Sequence, residues 1–415
     1  MPTRINGNGH RFRRRGALSL VRAAPEPVEQ STDNRDHARV LHICTRFGRG
    51  GSEQRVRDML EALGTCEHHV VAGRDSDIVV LAELHARTVR IESSLQRNPH
   101  PIRDLIAVFH LRRLVRAEHY DAVVTHQSKA GVLGRLAARS AGSACVVHSL
   151  SMANFGPGYP PVQSRVYRCI ERWLARYTTA YVVVGCDLAQ RFIDLGLPAH
   201  KLAIIRSAAR LPSPEVSRAH ARAFGAAHYK LPGDRPWILY LGSLEERKNV
   251  LSLPIVMQQV VVLTEGSRPY LVIAGEGPLD AQLKELLQRM DLVDDVGLLG
   301  YVSDPTPLLV GADVVVLLSH AEGMPQVLVQ AAAARTPFVS FDVDGVDELL
   351  MMGAVGTIVD QDDLVEASRA LRFYLDGHPH EQTADVDLSS WQRPNVLRQY
   401  SDLFAQLLAP TGVFV

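Results

Sequence analysis

Residues 314–333 read VVVLLSHAEGMPQVLVQAAA. The run 314–319 is apolar without alternation, the pattern of a strand covered by helices on both faces. Gly323 and Pro325 then turn the chain sharply, and the stretch after them continues as a helix. A doubly buried strand handing over to a helix is the unit of a parallel sheet, so this stretch predicts an α/β domain. It also sets Glu322 at the end of a central strand, beside the backbone N–H groups of 323–326. A carboxylate next to exposed amides suits a polyhydroxy ligand, accepting from hydroxyls while the amides donate. The plainer role is a helix N-terminal carboxylate that stabilises the dipole by ~0.3–1 kcal/mol. Gln330, a polar residue on an otherwise apolar helix, can reach the same space.

The same grammar extends in both directions. Upstream, VLHIC (40–44), HVVA (69–72), TVRI (88–91), AVVTH (122–126), CVVHS (145–149) and YVVVG (181–185) alternate with helically spaced segments such as EQRVRDMLEAL and KAGVLGRLAARSAG. The pattern lapses over 207–236, where prolines mix with a polar, alanine-rich stretch. It resumes in WILYLG (237–242), YLVIAG (270–275), VGLLGY (296–301), PFVSF (337–341) and GTIVD (356–360). The expected architecture is α/β: two doubly wound Rossmann-like domains, 39–212 and 237–390, facing a cleft at their strand C-termini, where such sheets bind ligands. Residues 213–236 are read as the link, and 391–415 as a last helix after the break at Pro394.

A chain of 415 residues is long enough for two such cores. Lys and Arg number 45 against 45 Asp and Glu, so the basic surplus of a nucleic-acid binder is missing. The five cysteines show no paired C-x-x-C spacing and read as buried reduced thiols rather than disulfides or a zinc site. No apolar run reaches the ~18 residues of a membrane span. Residues 1–38 are arginine-rich, then rich in Pro, Glu, Ser and Asp, and are expected to be a disordered basic tail. The functional alternative for the tail is attraction to anionic lipid. Its apolar stretch ALSLV is too short for a signal-peptide core. The expected location is therefore cytoplasmic, with at most peripheral contact at the inner face of the membrane.

Several loops at predicted strand ends could carry chemistry. TRFGRGGSEQ (45–54) opens a helix, and the backbone at Gly50 and Gly51 could approach an anion. It lacks the G-x-G-x-x-G spacing of a dinucleotide fingerprint, and a tight structural turn explains it equally well. In LGSLEERKN (241–249) Lys248 could hold a diphosphate, while residues 245–247 could be an ordinary solvated loop. The glycines of AGEGPLD (274–280) satisfy turn geometry before anything else. His126 and His148 both end strands of the first domain, where a structural and a catalytic role are both open. A D-x-D carboxylate pair at a cleft-facing strand end, which would hold a metal, is not read from the sequence.

Taken in order, GGSE, GSLEERKN, IAGEGP, LLGYVSD, HAEGMPQVLVQAAAARTPFVSFDVDG and VGTIVDQDDL resemble the retaining GT-B glycosyltransferases of family 4, over about residues 39–408. THQSKAGVLGRLAARSAG (125–142), with VVHSL and IERWLAR after it, resembles members acting in polysaccharide assembly. The resemblance implies transfer of a sugar from a nucleoside-diphosphate donor, a UDP- or GDP-sugar, with no metal or other cofactor. The implied acceptor is a glycan, a lipid-linked sugar or a small molecule. It implies that backbone at Gly50 and Gly51 meets the donor diphosphate and that Lys248 binds the same phosphates. Glu322 would hold the sugar hydroxyls, with the amides of Gly323 and Met324 around it. Tyr301 and Val302 would contact the base, and Gln330 the ribose. His126 and His148 complete the candidate catalytic set with Glu322 and Lys248, and the last helix would cross back onto the first domain.

Three positions depart from the family pattern. Ser243 stands where an arginine is usual, Gln330 where a second glutamate binds ribose, and Ser151 where a sugar-contacting histidine often sits. Serine and glutamine still form hydrogen bonds, and the reaction needs no protein nucleophile. It needs stabilisation of the leaving phosphate and an acceptor hydroxyl held on the same face. Two rivals follow: a nucleotide-sugar epimerase of the same fold, with extra acidic or histidine groups beside the sugar, and a catalytically weakened member that serves as a binding partner.

Overall fold

The computed structural model describes residues 37–48, 51–143, 145–156, 159–212, 216–263, 266–376 and 386–409. The basic tail through residue 36 and Gly50 of the first loop lie outside these residues. The chain forms two compact units. It passes from the first to the second between Ala208 and Ala209, and returns between Leu388 and Ser389.

The first unit holds a seven-stranded sheet in the order β3-β2-β1-β4-β5-β6-β7. Its strands are β1 (Arg39–Cys44), β2 (Glu67–Gly73), β3 (Thr88–Glu92), β4 (Ala122–His126), β5 (Cys145–Leu150), β6 (Ala180–Val183) and β7 (Leu202–Ile204). Every pair is parallel; His42 lies opposite Val70 on one side and Val124 on the other. The helices are α1 (Gly51–Ala62), α2 (Ile78–Ala82), α3 (Pro101–Glu118), α4 (Ser128–Ala141), α5 (Pro161–Leu174) and α6 (Cys186–Asp194). β4 and β5 are buried along their whole length, as unbroken aliphatic runs require. β7 was not expected: three half-buried residues at a sheet edge carry no periodicity to read.

The second unit holds a six-stranded parallel sheet in the order β10-β9-β8-β11-β12-β13. These are β8 (Trp237–Leu241), β9 (Tyr270–Ala274), β10 (Val296–Gly300), β11 (Val314–Leu317), β12 (Phe338–Phe341) and β13 (Gly356–Val359). The unit begins with α7 (Arg218–Tyr229), followed by α8 (Leu253–Leu263), α9 (Asp280–Arg289), α10 (Thr306–Gly311), α11 (Gln326–Ala333), α12 (Val346–Met351) and α13 (Leu364–Leu375). α7 lies in the stretch read as a link. Ser217 caps it by accepting from the His220 N–H at 3.3 Å, and Arg222 sits over the Trp237 ring at 4.3 Å. Its buried residues are only Ala221 and Gly225, so no large apolar side chain marked it as a packed helix.

The last helix, α14 (Arg393–Leu407), returns to the first unit. Val396, Tyr400, Leu403, Phe404 and Leu407 recur at helical spacing and pack with Val40, Met59, Ala122 and Val124. Arg393 secures it to α1 through Asp58 at 3.1 Å and Glu61 at 2.8 Å.

Candidate functional site

The polar strand ends of the second unit converge on Glu322. The loop after β8 closes in a 3-10 turn, Glu246–Lys248, and Lys248 Nζ donates to Glu322 Oε1 at 2.6 Å. Arg247 Nη1 lies 3.3 Å from the same oxygen and donates to the Ala321 carbonyl at 2.8 Å. The His320 N–H donates back to the Arg247 carbonyl at 3.0 Å, so the loops after β8 and β11 are stapled together. Burial alone would raise the Glu322 carboxyl, but Lys248 and then Arg247 outweigh it and hold the group below its ordinary value. Two cations against one ionised carboxylate leave a positive surplus there. No side chain caps α11, whose first N–H groups have no partner within the helix, so amide donors adjoin that surplus.

The neighbouring loops fit against one another backbone to backbone. Gly275 has φ +152°, and a Cβ there would lie 1.8 Å from the Gly242 carbonyl oxygen; a Cβ on Gly277 would meet the Leu244 carbonyl oxygen at 2.4 Å. The glycines of AGEGP are thus demanded by the close approach of LGSL. Ser243 Oγ donates to Glu245 Oε1 at 2.5 Å, so its hydroxyl is turned toward its own loop. The Tyr301 N–H donates to Glu276 Oε1 at 3.2 Å, leaving the Tyr301 ring exposed, with Val302 half-buried beside it. Gly323 and Met324 are buried at the turn into α11. Gln330 Nε2 donates to the Arg210 carbonyl at 3.1 Å, and Arg210 Nη1 reaches the Ser303 carbonyl at 3.3 Å.

Two features of this unit were missed in the sequence. Arg247 was read as part of a solvated loop, and Arg210 as part of the stretch where the strand and helix pattern lapses. Each acts through a residue distant in the chain, and no spacing signals that. A correction concerns acidic pairs: Asp342 and Asp344, in DVDG directly after β12, do form a D-x-D at a strand end. Both have partners within the fold, and among the described residues no three His, Cys, Asp or Glu side chains group as metal ligands would.

In the first unit, His126 ends β4 as the outermost of three linked imidazoles. Its Nε2 lies 3.2 Å from His42 Nδ1; His42 Nε2 lies 3.1 Å from His68 Nδ1; and His68 Nε2 lies 3.0 Å from the Leu63 carbonyl oxygen. A carbonyl only accepts, so His68 carries its proton on Nε2, and neutral rings pass that choice outward. His42 and His126 are then also Nε2–H tautomers, which leaves His126 Nδ1 with a lone pair. Burial is the main cause holding all three rings neutral, with His68 and His126 adding to it at His42; Arg55 helps push His126 down to about 3. His148 is fully buried: Nδ1 donates to the Thr125 carbonyl at 3.1 Å, and Gly131 leaves room for its ring. Ser151 is half-buried just past β5. Gly51 is the first residue of α1.

The buried imidazoles make stability depend on pH. Below pH ~6.5 the unfolded chain takes up protons on these histidines, while the folded unit does not until their lowered pKa values are reached. Stability present above pH ~6.5 is therefore lost as pH falls, by up to about 1.4 kcal/mol per pH unit for each ring. Urea unfolding at pH 7.5, 6.0 and 5.0 should show a midpoint that drops steadily; equal midpoints at 7.5 and 5.0 would contradict neutral burial.

Comparison with known proteins matches two family models, "Glycosyl transferase 4-like domain" over residues 50–208 and "Glycosyl transferases group 1" over residues 225–385. The UDP-Gal:alpha-D-GlcNAc-diphosphoundecaprenol alpha-1,3-galactosyltransferase of Escherichia coli is 29% identical over 285 residues, covering 67% of this chain and 72% of that protein. The alpha-D-kanosaminyltransferase of Streptomyces kanamyceticus is 30% identical over 225 residues, covering 51% of this chain and 56% of the relative. Among solved structures, HepE of Anabaena in complex with UDP-glucose superposes with a TM-score of 0.69 at 17% identity, over 89% of this chain and 100% of that one. That likeness is one of fold, two parallel Rossmann-like sheets of the GT-B class, whereas the matched models speak to ancestry. Between them the models cover β2 to β7 of the first sheet and all of the second, and the chain belongs to the family 4, group 1 glycosyltransferases.

Proposed function

We propose that this glycosyltransferase moves a sugar from a UDP-sugar onto a lipid-linked or glycan acceptor in surface-polysaccharide assembly, with retention at the anomeric carbon. The observation that carries the reading is the meeting of Lys248 and Arg247 on Glu322 beside the uncapped start of α11. The Glu322 carboxylate pairs with both cations. An arriving diphosphate competes for them, and Glu322 is released to accept sugar hydroxyls. Lys248, Arg247 and the helix amides then stabilise the charge that develops on the leaving phosphate, the largest requirement of such a transfer. Arg247 supplies part of the charge that Ser243 does not.

The remaining roles follow. Backbone at Gly51, the first residue of α1, would meet the donor diphosphate, as would Gly50, which lies outside the described residues, and Tyr301 and Val302 would flank the base. Gln330 uses its amide on the Arg210 carbonyl, which leaves its oxygen to accept a ribose hydroxyl. His126, with its Nδ1 lone pair, accepts from a substrate hydroxyl, while fully buried His148 supports β4 and β5 from within the core. The relatives bear on the partners: one transfers galactose from UDP to a diphosphoundecaprenol-linked sugar, and HepE binds UDP-glucose.

Lys248→Ala should weaken UDP binding by roughly 10- to 150-fold, the loss of a charge-assisted contact of about 1.5–3 kcal/mol. Calorimetry with and without EDTA checks this, and also tests whether Asp342 and Asp344 hold a required ion. Unchanged affinity in the variant, or wild-type binding abolished by EDTA, would overturn the assignment.

A further inference from the structure

Three histidines on one face of the first sheet spend core space on hydrogen bonds. His42 and His68 lie inside β1 and β2, where aliphatic side chains pack at lower cost, and both are buried. With His126 their rings form one row. His42 and His126 stand 5.5 Å apart between centroids with planes 17° apart, and His42 and His68 stand 5.3 Å apart. Each ring nitrogen along the row has a protein partner except the last, His126 Nδ1. That atom is not sealed in the core, whereas the free nitrogen of His148, Nε2, is. Buried His69 has both nitrogens bonded, one to Glu67 and the other to Thr88 and Tyr120. Among the buried histidines of the described residues, only the row through His42 opens at a strand end.

The direction of the row is set at its inner end. The Leu63 carbonyl, which also accepts from the Cys66 N–H at 2.8 Å, takes the His68 proton at 3.0 Å. Reversing the order would turn the His68 lone pair toward that oxygen and leave two acceptors facing each other in the core. One ring cannot change alone, because each shares a proton with the next. The backbone around His126 is held as firmly. Gln127 has φ 63° and ψ 170°, a conformation that strains a residue bearing a side chain. Its own amide keeps it there, accepting from the Arg46 N–H at 3.1 Å and donating to the Arg46 carbonyl at 2.9 Å. Burial, and then the charge of Arg55, oppose a second proton on His126, which would leave the ring unable to accept.

We propose that His42 and His68 are positioning residues that fix His126 as a one-way hydrogen-bond acceptor, so that the first unit selects its substrate by a free hydroxyl at that point. Both lie behind His126 in the core and act through it. The proposal rests on the reading of His126 as the contact of a substrate hydroxyl, and adds what makes that contact one-directional. An unfixed imidazole would present an N–H or a lone pair by turns, and only the second fraction of molecules would be competent to accept. Core packing alone does not ask for this order. Three rings bonded only to one another would be satisfied in either direction; the Leu63 carbonyl removes the choice.

The test uses the full chain with nitrogen-15 in its histidine rings, whose long-range proton–nitrogen spectra tell a protonated ring nitrogen from a bare one. His126 is assigned by the signals lost in His126→Gln. Near pH 7.5 its proton should lie on Nε2 and not on Nδ1. His68→Phe keeps a ring in the space and removes both links, so His126 should become a mixture of tautomers. kcat/KM for UDP release from UDP-glucose and UDP-galactose should then fall about tenfold, while affinity for free UDP stays unchanged. His68→Gln, whose amide can donate to Leu63 and accept from His42, should return the single tautomer and bring kcat/KM to within about twofold of wild type. A proton on His126 Nδ1 in wild type would overturn the proposal, whether or not His68→Phe folds. So would lost turnover in His68→Phe with the tautomer unchanged, which is what damaged packing gives. Wild-type turnover in His126→Gln, with the tautomer as expected, is a distinct failure: it would refute the hydroxyl contact itself, and the positioning role with it.

Discussion

Glu322→Gln is expected to lower kcat/KM for the sugar donor about 100-fold while leaving the affinity for free UDP intact or raised. On the proposed role the two readouts move apart because the carboxylate would have two partners. Toward a donor sugar it would be an ionised acceptor, and an amide in its place would lose charge-assisted bonds of roughly 1.5–3 kcal/mol. Toward Lys248, 2.6 Å away, it competes with the phosphate, so neutralising it frees the cation. Parallel loss of UDP affinity and turnover would mean that the substitution had only damaged the loop. Loss of turnover alone fits a group that acts on the sugar.

The same pair of readouts separates Gln330 from Ser243. Gln330→Glu replaces the amide that donates to the Arg210 carbonyl with an acceptor, and brings negative charge near a diphosphate that lacks an arginine at 243. Alone it should weaken donor binding or leave it flat. Combined with Ser243→Arg, which removes a hydroxyl now spent on Glu245, it should recover or exceed the parent in a double-mutant cycle. A tenfold gain from Gln330→Glu alone would mark Gln330 as decay toward a protein that only binds.

The largest stability effect should come from Glu171→Gln, at about 3–5 kcal/mol, near 10 °C in Tm for a unit of this size. Arg135 is fully buried and bonded to both oxygens of Glu171, to the Gly131 carbonyl at 2.7 Å and to Tyr181 Oη at 3.0 Å. Removing the carboxylate strands a guanidinium in the core, whereas Arg135→Met with Glu171→Leu removes both charges and should restore most of the loss. Thermal unfolding of the three variants checks this; a shift under ~1 kcal/mol for Glu171→Gln would show that water or relaxation reaches the pair.

The fold was legible wherever burial left a continuous aliphatic run. β4 and β5 are buried along their whole length, and AVVTH and CVVHS mark them to within a residue. β7 and α7 were not legible for the same reason inverted. One is three edge residues, and the other packs through Ala221 and Gly225, side chains too small to stand out. In the site, Glu322 and Lys248 could be found because each follows a strand end. Their pairing, the part of Arg247, and the link from Gln330 to Arg210 depend on loops brought together from separate strands, 74 residues apart for Lys248 and Glu322 and 120 for the last. The relay behind His126 was hidden differently. His42 and His68 sit inside strands, where a lone histidine reads as core, and only the pairing of β1 with β2 makes them diagonal neighbours whose rings meet.

The account is tested most directly by incubating the full chain with UDP-, GDP- and ADP-sugars and following release of the nucleoside diphosphate, for wild type, Lys248→Ala and Glu322→Gln in parallel. The expected result is UDP release by wild type from at least one UDP-sugar, falling about 100-fold in Glu322→Gln and at least tenfold in Lys248→Ala. Release that is equal in all three proteins, or wild-type binding of UDP-sugars with no release even when lipid-diphosphate-linked and glycan acceptors are supplied, would contradict it.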